Sequence, residues 1–206
     1  IPEDNTYGIV FDEVSYSSIQ NSTVLRNDYG IYLIEGNVIS LAYTDIYYNT
    51  HGVTAYHGSN YDIVGNRISR NDYGLKFLNI TSSFVRNNKF EENTQYGFVI
   101  FSDVQNNIIY NNLFKNDNNV LFYFSLPNYW NTTKQLGTRI YGAGYGYIGG
   151  NYWSNPSGTG YSDTCSNADY DDFCDNPYVI ATNNIDHLPL ASITNITLEI
   201  QVTQER

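Results

Sequence analysis

The chain repeats itself every 22 residues. "NTYGIVF" at 5–11 returns as "NDYGIYL" at 27–33, "NTHGVTA" at 49–55, "NDYGLKF" at 71–77 and, with one extra residue, "NTQYGFVI" at 93–100. Asn5, Asn27, Asn49, Asn71, Asn93 and Asn116 open successive rows, the last interval being one residue longer than the others. A fixed period of about 20–50 residues is the mark of a solenoid, in which each repeat packs only on its neighbours.

Written in rows of 22, the apolar residues fall into columns. Ile9, Ile31, Val53, Leu75, Phe98 and Val120 form one, and Phe11, Leu33, Ala55, Phe77, Ile100 and Phe122 a second. Ile19, Leu41, Ile63, Val85 and Ile108 read as a third, and Val24, Ile46, Ile68, Phe90 and Leu113 as a fourth. The spacing of two inside "GIYL" puts alternate side chains on opposite faces of a strand, so each row is two or three short strands. One such strand cannot bury its apolar face alone, but rows stacked at the strand spacing of roughly 4.8 Å bury one another's columns. The asparagine column reads as a turn ladder, with Asn in left-handed backbone and each amide bonded to the next. Gly8, Gly30, Gly52, Gly74 and Gly97 read as a corner needing positive φ or a small side chain. A leucine-rich horseshoe would need a leucine skeleton and helical segments. The pattern predicts an all-β chain folded as a parallel β-helix with about 22 residues per coil.

Regular rows stop after Phe124. The reading is a single β-helix domain over 1–190, with regular coils at 5–124, an irregular insertion at 125–146, and a terminal coil with an acidic loop at 147–190. In the terminal coil "YIGGNYWSN" aligns Ile148 under Ile63 and Trp153 under Ile68. Residues 191–206 then form a tail in which Ile196, Leu198, Ile200 and Val202 alternate with polar residues, which predicts a final extended strand. That strand folds back on its own solenoid or adds to the edge of a second copy, a head-to-tail contact that builds a filament. The opening on Ile1, with the first repeat immediately under way, reads as a processed or excerpted chain.

A formal net charge of −11, with only ten Lys and Arg, argues against nucleic acid and anionic membrane surfaces as partners. No apolar run reaches the roughly 18 residues of a membrane-spanning helix. Sequons at Asn21, Asn79, Asn131 and Asn195 are candidate glycosylation sites, Asn155 being excluded by Pro156. Cys165 and Cys174, the only two cysteines, sit in one loop and read as a disulfide, which implies an oxidising compartment. Charge, sequons and cysteines together predict an extracellular or cell-surface protein.

The repeated rows and the ending "GGNYWSN…DYDDFCDNPYVI…NNIDHLPL", residues 149–190, resemble the NosD-like right-handed parallel β-helix domains of archaeal surface proteins. These belong to the wider group of carbohydrate-binding and sugar-hydrolase β-helices. The resemblance implies the right-handed fold and an Asp-rich loop, represented here by Asn167, Asp169, Asp171 and Asp175. Oxygen ligands at alternating positions suit Ca²⁺. Tyr170, Asp172 and Cys174 stand where the family has glycines, so a solvated acidic loop ordered by the disulfide competes with the Ca²⁺ reading. Copper, which the family name suggests, lacks donors: the chain has His51, His57 and His187 but no Met, and its cysteines are paired.

Catalysis on a sugar would need clustered carboxylates or Ca²⁺ with a base on adjacent coils. Asp28 and Asp72, beside Arg26 and Arg70, lie two coils apart and read as surface charge. Tyr7, Tyr29, Tyr73 and Tyr96 occupy one outward column with His51, as a stacked corner that doubles as a platform for sugars. The expected function is non-enzymatic, structural or adhesive, with self as partner in a filament. Carbohydrate binding or processing is the alternative.

Overall fold

The computed structural model describes residues 5–124, 126–142 and 144–192. The chain winds as a β-solenoid of about five turns. Each regular coil has three walls. In the second coil these are the strands Asn27–Ile34, Asn37–Ala42 and Asp45–Tyr47. Each strand pairs in parallel with its counterpart one coil on. The first and second walls merge into one eleven-stranded sheet because Asn37 also pairs with Ser59, while the third wall is a separate six-stranded sheet.

The interior is the set of stacked columns. Ile31, Val53, Leu75 and Phe98 are in register and completely buried, as are Ala55, Phe77 and Ile100 beside them. Two expected columns end one residue away from where the period puts them. Val85 pairs with Ile109 rather than Ile108, and Phe90 with Phe114 rather than Leu113. Counterparts in this coil lie 24 residues apart, as for Asn88 and Asn112. A one-residue slip moves a side chain to the other face. Leu113 therefore points away from the main core, into a second cluster with Tyr152, Phe173 and Leu190.

Turn chemistry also differs from the sequence reading. The left-handed residue is the one before Asn27, Asn49, Asn71 and Asn93: Arg26, Tyr48, Arg70 and Glu92 have φ of 58°, 56°, 56° and 55°. Repeat glycines such as Gly30 are absent from the positive-φ set. Gly30 is needed for close approach, since a Cβ there would lie 2.6 Å from the Gly52 carbonyl oxygen and 3.0 Å from the Asn49 amide.

Three polar ladders run up the corners. In the first, the backbone N–H and side-chain amide of Asn27 both donate to Asn49 Oδ1, and the pattern repeats through Asn71, Asn93 and Asn116. The second links Thr44, Asn66, Asn88, Asn112, Asn151 and Asp186, and the third links Tyr61, Ser83, Asn107, Asn128 and Asn184. Buried turns thus find partners for backbone groups that strand pairing leaves over.

Beyond Phe124 the solenoid continues. Tyr129 pairs with Ile108, and Trp130 is fully buried in the main core. The chain then leaves in an antiparallel hairpin, Gln135–Thr138 with Tyr145–Ile148, so Ile148 is not in the Ile63 column. Trp153 stacks on Phe114 with centroids 4.6 Å apart, extending the Ile68 column as expected. The short helix Tyr161–Thr164 and the hairpin Tyr178–Ala181/Asn184–Asp186 follow, with Tyr161 and Tyr178 packed on the core. Asp186 ends the second ladder. Its completely buried carboxyl group accepts from Asn151 N–H, Trp153 Nε1 and Leu188 N–H. Burial pushes its pKa up to about 7 against those hydrogen bonds, which favour the charged form.

Candidate functional site

The outer face of the first wall carries three columns. Tyr7, Tyr29, His51, Tyr73 and Tyr96 form the first, Val10, Tyr32, Thr54, Lys76 and Val99 the second. Asp12, Ile34, Tyr56 and Leu78 form the third, with Phe101 and Tyr123 stacked beyond them at 4.5 Å. Strict alternation would put Tyr29 and Tyr32 on opposite faces. Gly30 and Ile31 are both buried, however, so the pleat breaks there and the two tyrosine rings lie 5.1 Å apart on the same side.

The columns enclose a groove of about 260 Å³. Tyr29 and Tyr32 lie at one end, Tyr56, Leu78 and Phe101 form the far wall, and Thr54 and Lys76 line the space between. Tyr29 joins the groove to a near wall of stacked rings that runs beside it: Tyr7 to Tyr29 at 5.4 Å, Tyr29 to His51 at 4.6 Å and His51 to Tyr73 at 5.3 Å. Lys76 Nζ sits 3.7 Å from the Tyr73 ring centroid, a cation–π contact.

Burial governs the electrostatics. It lowers the Lys76 pKa to about 8. It also pushes His51 down to about 4, with Lys76 adding to the effect and Asp72 and Asp28 opposing it, so the imidazole is neutral at neutral pH. Burial raises the Tyr32 phenol, helped by Tyr29, Tyr7, Tyr56 and the Asp12 carboxylate. His51 Nδ1 and Thr54 Oγ1 are buried atoms without a hydrogen-bond partner.

The residues singled out in the sequence are distributed elsewhere. Cys165 and Cys174 form a disulfide. In the acidic loop Asn167 Oδ1 accepts from Asp171 N–H at 3.1 Å, and Asp169 Oδ1 from the same N–H at 3.4 Å. The Asp175 carboxylate accepts from Ala168 N–H at 3.0 Å, and that of Asp171 from Lys134 Nζ at 2.7 Å. Burial works to raise the Asp171 pKa, but the Lys134 and Phe173 hydrogen bonds outweigh it and hold the group below its ordinary value. No group of three or more His, Cys, Asp or Glu is placed to hold a metal ion among the described residues. Asn21 is exposed, while Asn79 and Asn131 are half-buried. The amide of Asn79 donates to His57 Nδ1, and Asn131 Oδ1 accepts from His187 N–H. Asn195 and the expected assembly strand of Ile196, Leu198, Ile200 and Val202 lie outside the described residues.

Sequence reasoning found the tyrosine corner but missed the residues that turn it into a groove: Tyr32, Thr54, Tyr56, Lys76 and Phe101. The available signal was Lys76, the one charge in a column otherwise made of Val10, Tyr32, Thr54 and Val99.

A stacked-coil β-solenoid with an aromatic groove on one outer wall is the class of molecule these features define. The family model described as "Periplasmic copper-binding protein (NosD)" matches residues 2–158, and the chain belongs to the NosD family. Neither a curated protein nor a solved structure shows significant similarity to it. The periplasmic family and the disulfide are both consistent with a protein outside the cytoplasm. Among the described residues no helix is long and apolar enough to cross a membrane. Copper would need imidazole, thiolate or thioether donors. The chain has no Met and its cysteines are cross-linked. His51 Nδ1 is buried and His57 Nδ1 accepts from Asn79, and among the described residues neither these histidines nor His187 joins a group of three or more His, Cys, Asp or Glu that could hold a metal. These residues do not fit a copper centre.

Proposed function

We propose that this protein is a non-catalytic binding solenoid working outside the cytoplasm, which holds glycan chains along the aromatic wall of its first sheet face. The groove carries the reading. It is concave and mostly apolar, with a few polar atoms to fix orientation, which is the usual make-up of a small-molecule site. Its size lies just under the roughly 300–1,000 Å³ of sites for drug-sized ligands, which suits a single sugar ring. Tyrosines offer flat apolar faces with polar rims and lose little conformational freedom on contact. The lining has no carboxylate and so lacks the pair that glycoside hydrolysis uses.

A panel of neutral and acidic oligosaccharides, titrated calorimetrically into the wild type and a Tyr32→Ala/Phe101→Ala variant, tests the reading. At least one member should bind the wild type and lose at least tenfold in the variant, with the variant's circular dichroism unchanged. Binding by neither protein, or equal binding by both, refutes it.

A further inference from the structure

Lys76 is out of character for its position. The column that contains it is otherwise uncharged, and the protein as a whole carries a net charge of −11. Arg67, Arg70, Arg86, Lys134 and Arg139 each meet a carboxylate. The Lys76 ammonium does not: its one polar contact among the described residues is the Tyr73 ring face. Half-burying an ammonium without a counter-charge is unfavourable, and the depressed pKa is the expression of that cost. Thr54, its neighbour on the adjacent strand, keeps its hydroxyl buried and without a partner at the same place. A cation thus lacks a counter-charge between aromatic walls, while the buried Thr54 hydroxyl is closed to a ligand. His51 contributes no charge.

We propose that the groove is selective for acidic saccharides, one sugar ring lying against the tyrosines while its carboxylate pairs with Lys76. This rests on the glycan-binding reading above and deepens it. A carboxylate supplies the missing counter-ion, and a charge-assisted hydrogen bond in a partly dry groove is stronger than a neutral one. The ring faces supply contact without specificity, so Lys76 supplies the discrimination.

The test uses hexamers of galacturonate, mannuronate and glucuronate, each against its carboxyl-reduced form, titrated into the full chain and its Lys76→Met and Lys76→Arg variants. Melting curves confirm folding. The wild type should bind at least one uronate at least tenfold more tightly than its reduced form. Lys76→Met should abolish that ratio while retaining binding of the reduced form, and Lys76→Arg should keep a preference for the acid. If the wild type binds acid and reduced forms equally, or Lys76→Met keeps the preference, the acidic-ligand inference fails and the stacking site stands. Absence of binding to every uronate overturns the inference, and absence of binding to neutral and acidic sugars alike overturns the stacking reading as well.

Discussion

Asn88 lies in the middle of the second ladder and is completely buried. Its Oδ1 accepts from the backbone N–H and the side-chain amide of Asn66, both at 2.9 Å, and its own amide donates to the carbonyl of Ile63 at 2.8 Å and to Asn112 Oδ1 at 3.0 Å. In Asn88→Ala the bond from its backbone N–H to Asn112 survives, but two buried Asn66 donors lose their acceptor. Each orphaned donor costs about 1–3 kcal/mol, so the variant should lose about 2–6 kcal/mol, a large part of the roughly 5–15 kcal/mol that a domain commonly has. Asn88→Asp should fare no better, because it sets a carboxylate against the Ile63 and Arg86 carbonyls that the amide now serves. Asn118, exposed, with its side-chain amide donating to the Gln95 carbonyl at 3.2 Å, is the control, with an expected change within about 0.5 kcal/mol on replacement by Ala. Urea denaturation followed by far-ultraviolet circular dichroism measures all three. A loss under 1 kcal/mol at Asn88, or equal losses at Asn88 and Asn118, would show that the ladders do not hold the coils together.

Two further outcomes are expected. The folded-state pKa of His51 is depressed to about 4, so the stability tied to its neutral form is fully present above about pH 6.5 and is lost as the pH falls toward 4, at no more than about 1.4 kcal/mol per pH unit. His51→Tyr, which restores the residue type of Tyr29 and Tyr73, should flatten that part of the acid dependence, and identical losses in the two proteins between pH 6.5 and 4.5 would rule this out. Reducing Cys165–Cys174 should release roughly 2–3 kcal/mol of loop constraint, raising hydrogen exchange across 161–178 while the amides of Asn66 and Asn88 stay protected, since solenoid coils depend on nearest neighbours. Simultaneous loss of protection in both regions would contradict that independence.

The regular coils were legible because the period of 22 stays unbroken through Asn93, and stacking converts sequence spacing directly into register. Legibility ended where insertions fell. A residue added before Tyr96 and another before Asn107 were enough to misplace Ile108 and Leu113, because a strand has a period of two and one slip reverses its faces. The second and third ladders were hidden because they begin on Thr44, Tyr61 and Ser83 and because their asparagines keep no common spacing, Asn66, Asn88, Asn112 and Asn151 lying 22, 24 and 39 residues apart. The groove was hidden for a different reason. Tyr29 and Tyr32 share a face only because the pleat breaks at Gly30 and Ile31, a backbone feature that no alternation pattern contains.

The ladders and the groove also explain why one wall can vary while the fold persists. Register is set inside, by apolar columns and buried amides whose partners lie one coil away. Outward positions such as Lys76 carry none of that burden, so a substitution there changes one step of a surface stripe and leaves the coil in place. The near wall is different. Tyr29 is stacked between Tyr7 and His51, and its loss would remove contacts that also join three coils. Tyr32 and Lys76 face the groove from the next column, with Thr54 paired between them. Function read at Tyr29 is therefore confounded with stability, and in part so is function read at Tyr32 and Phe101, which stack on Tyr7 and Tyr123 of neighbouring coils, whereas Lys76 reports on the groove itself, and its column changes specificity without any change in the interior.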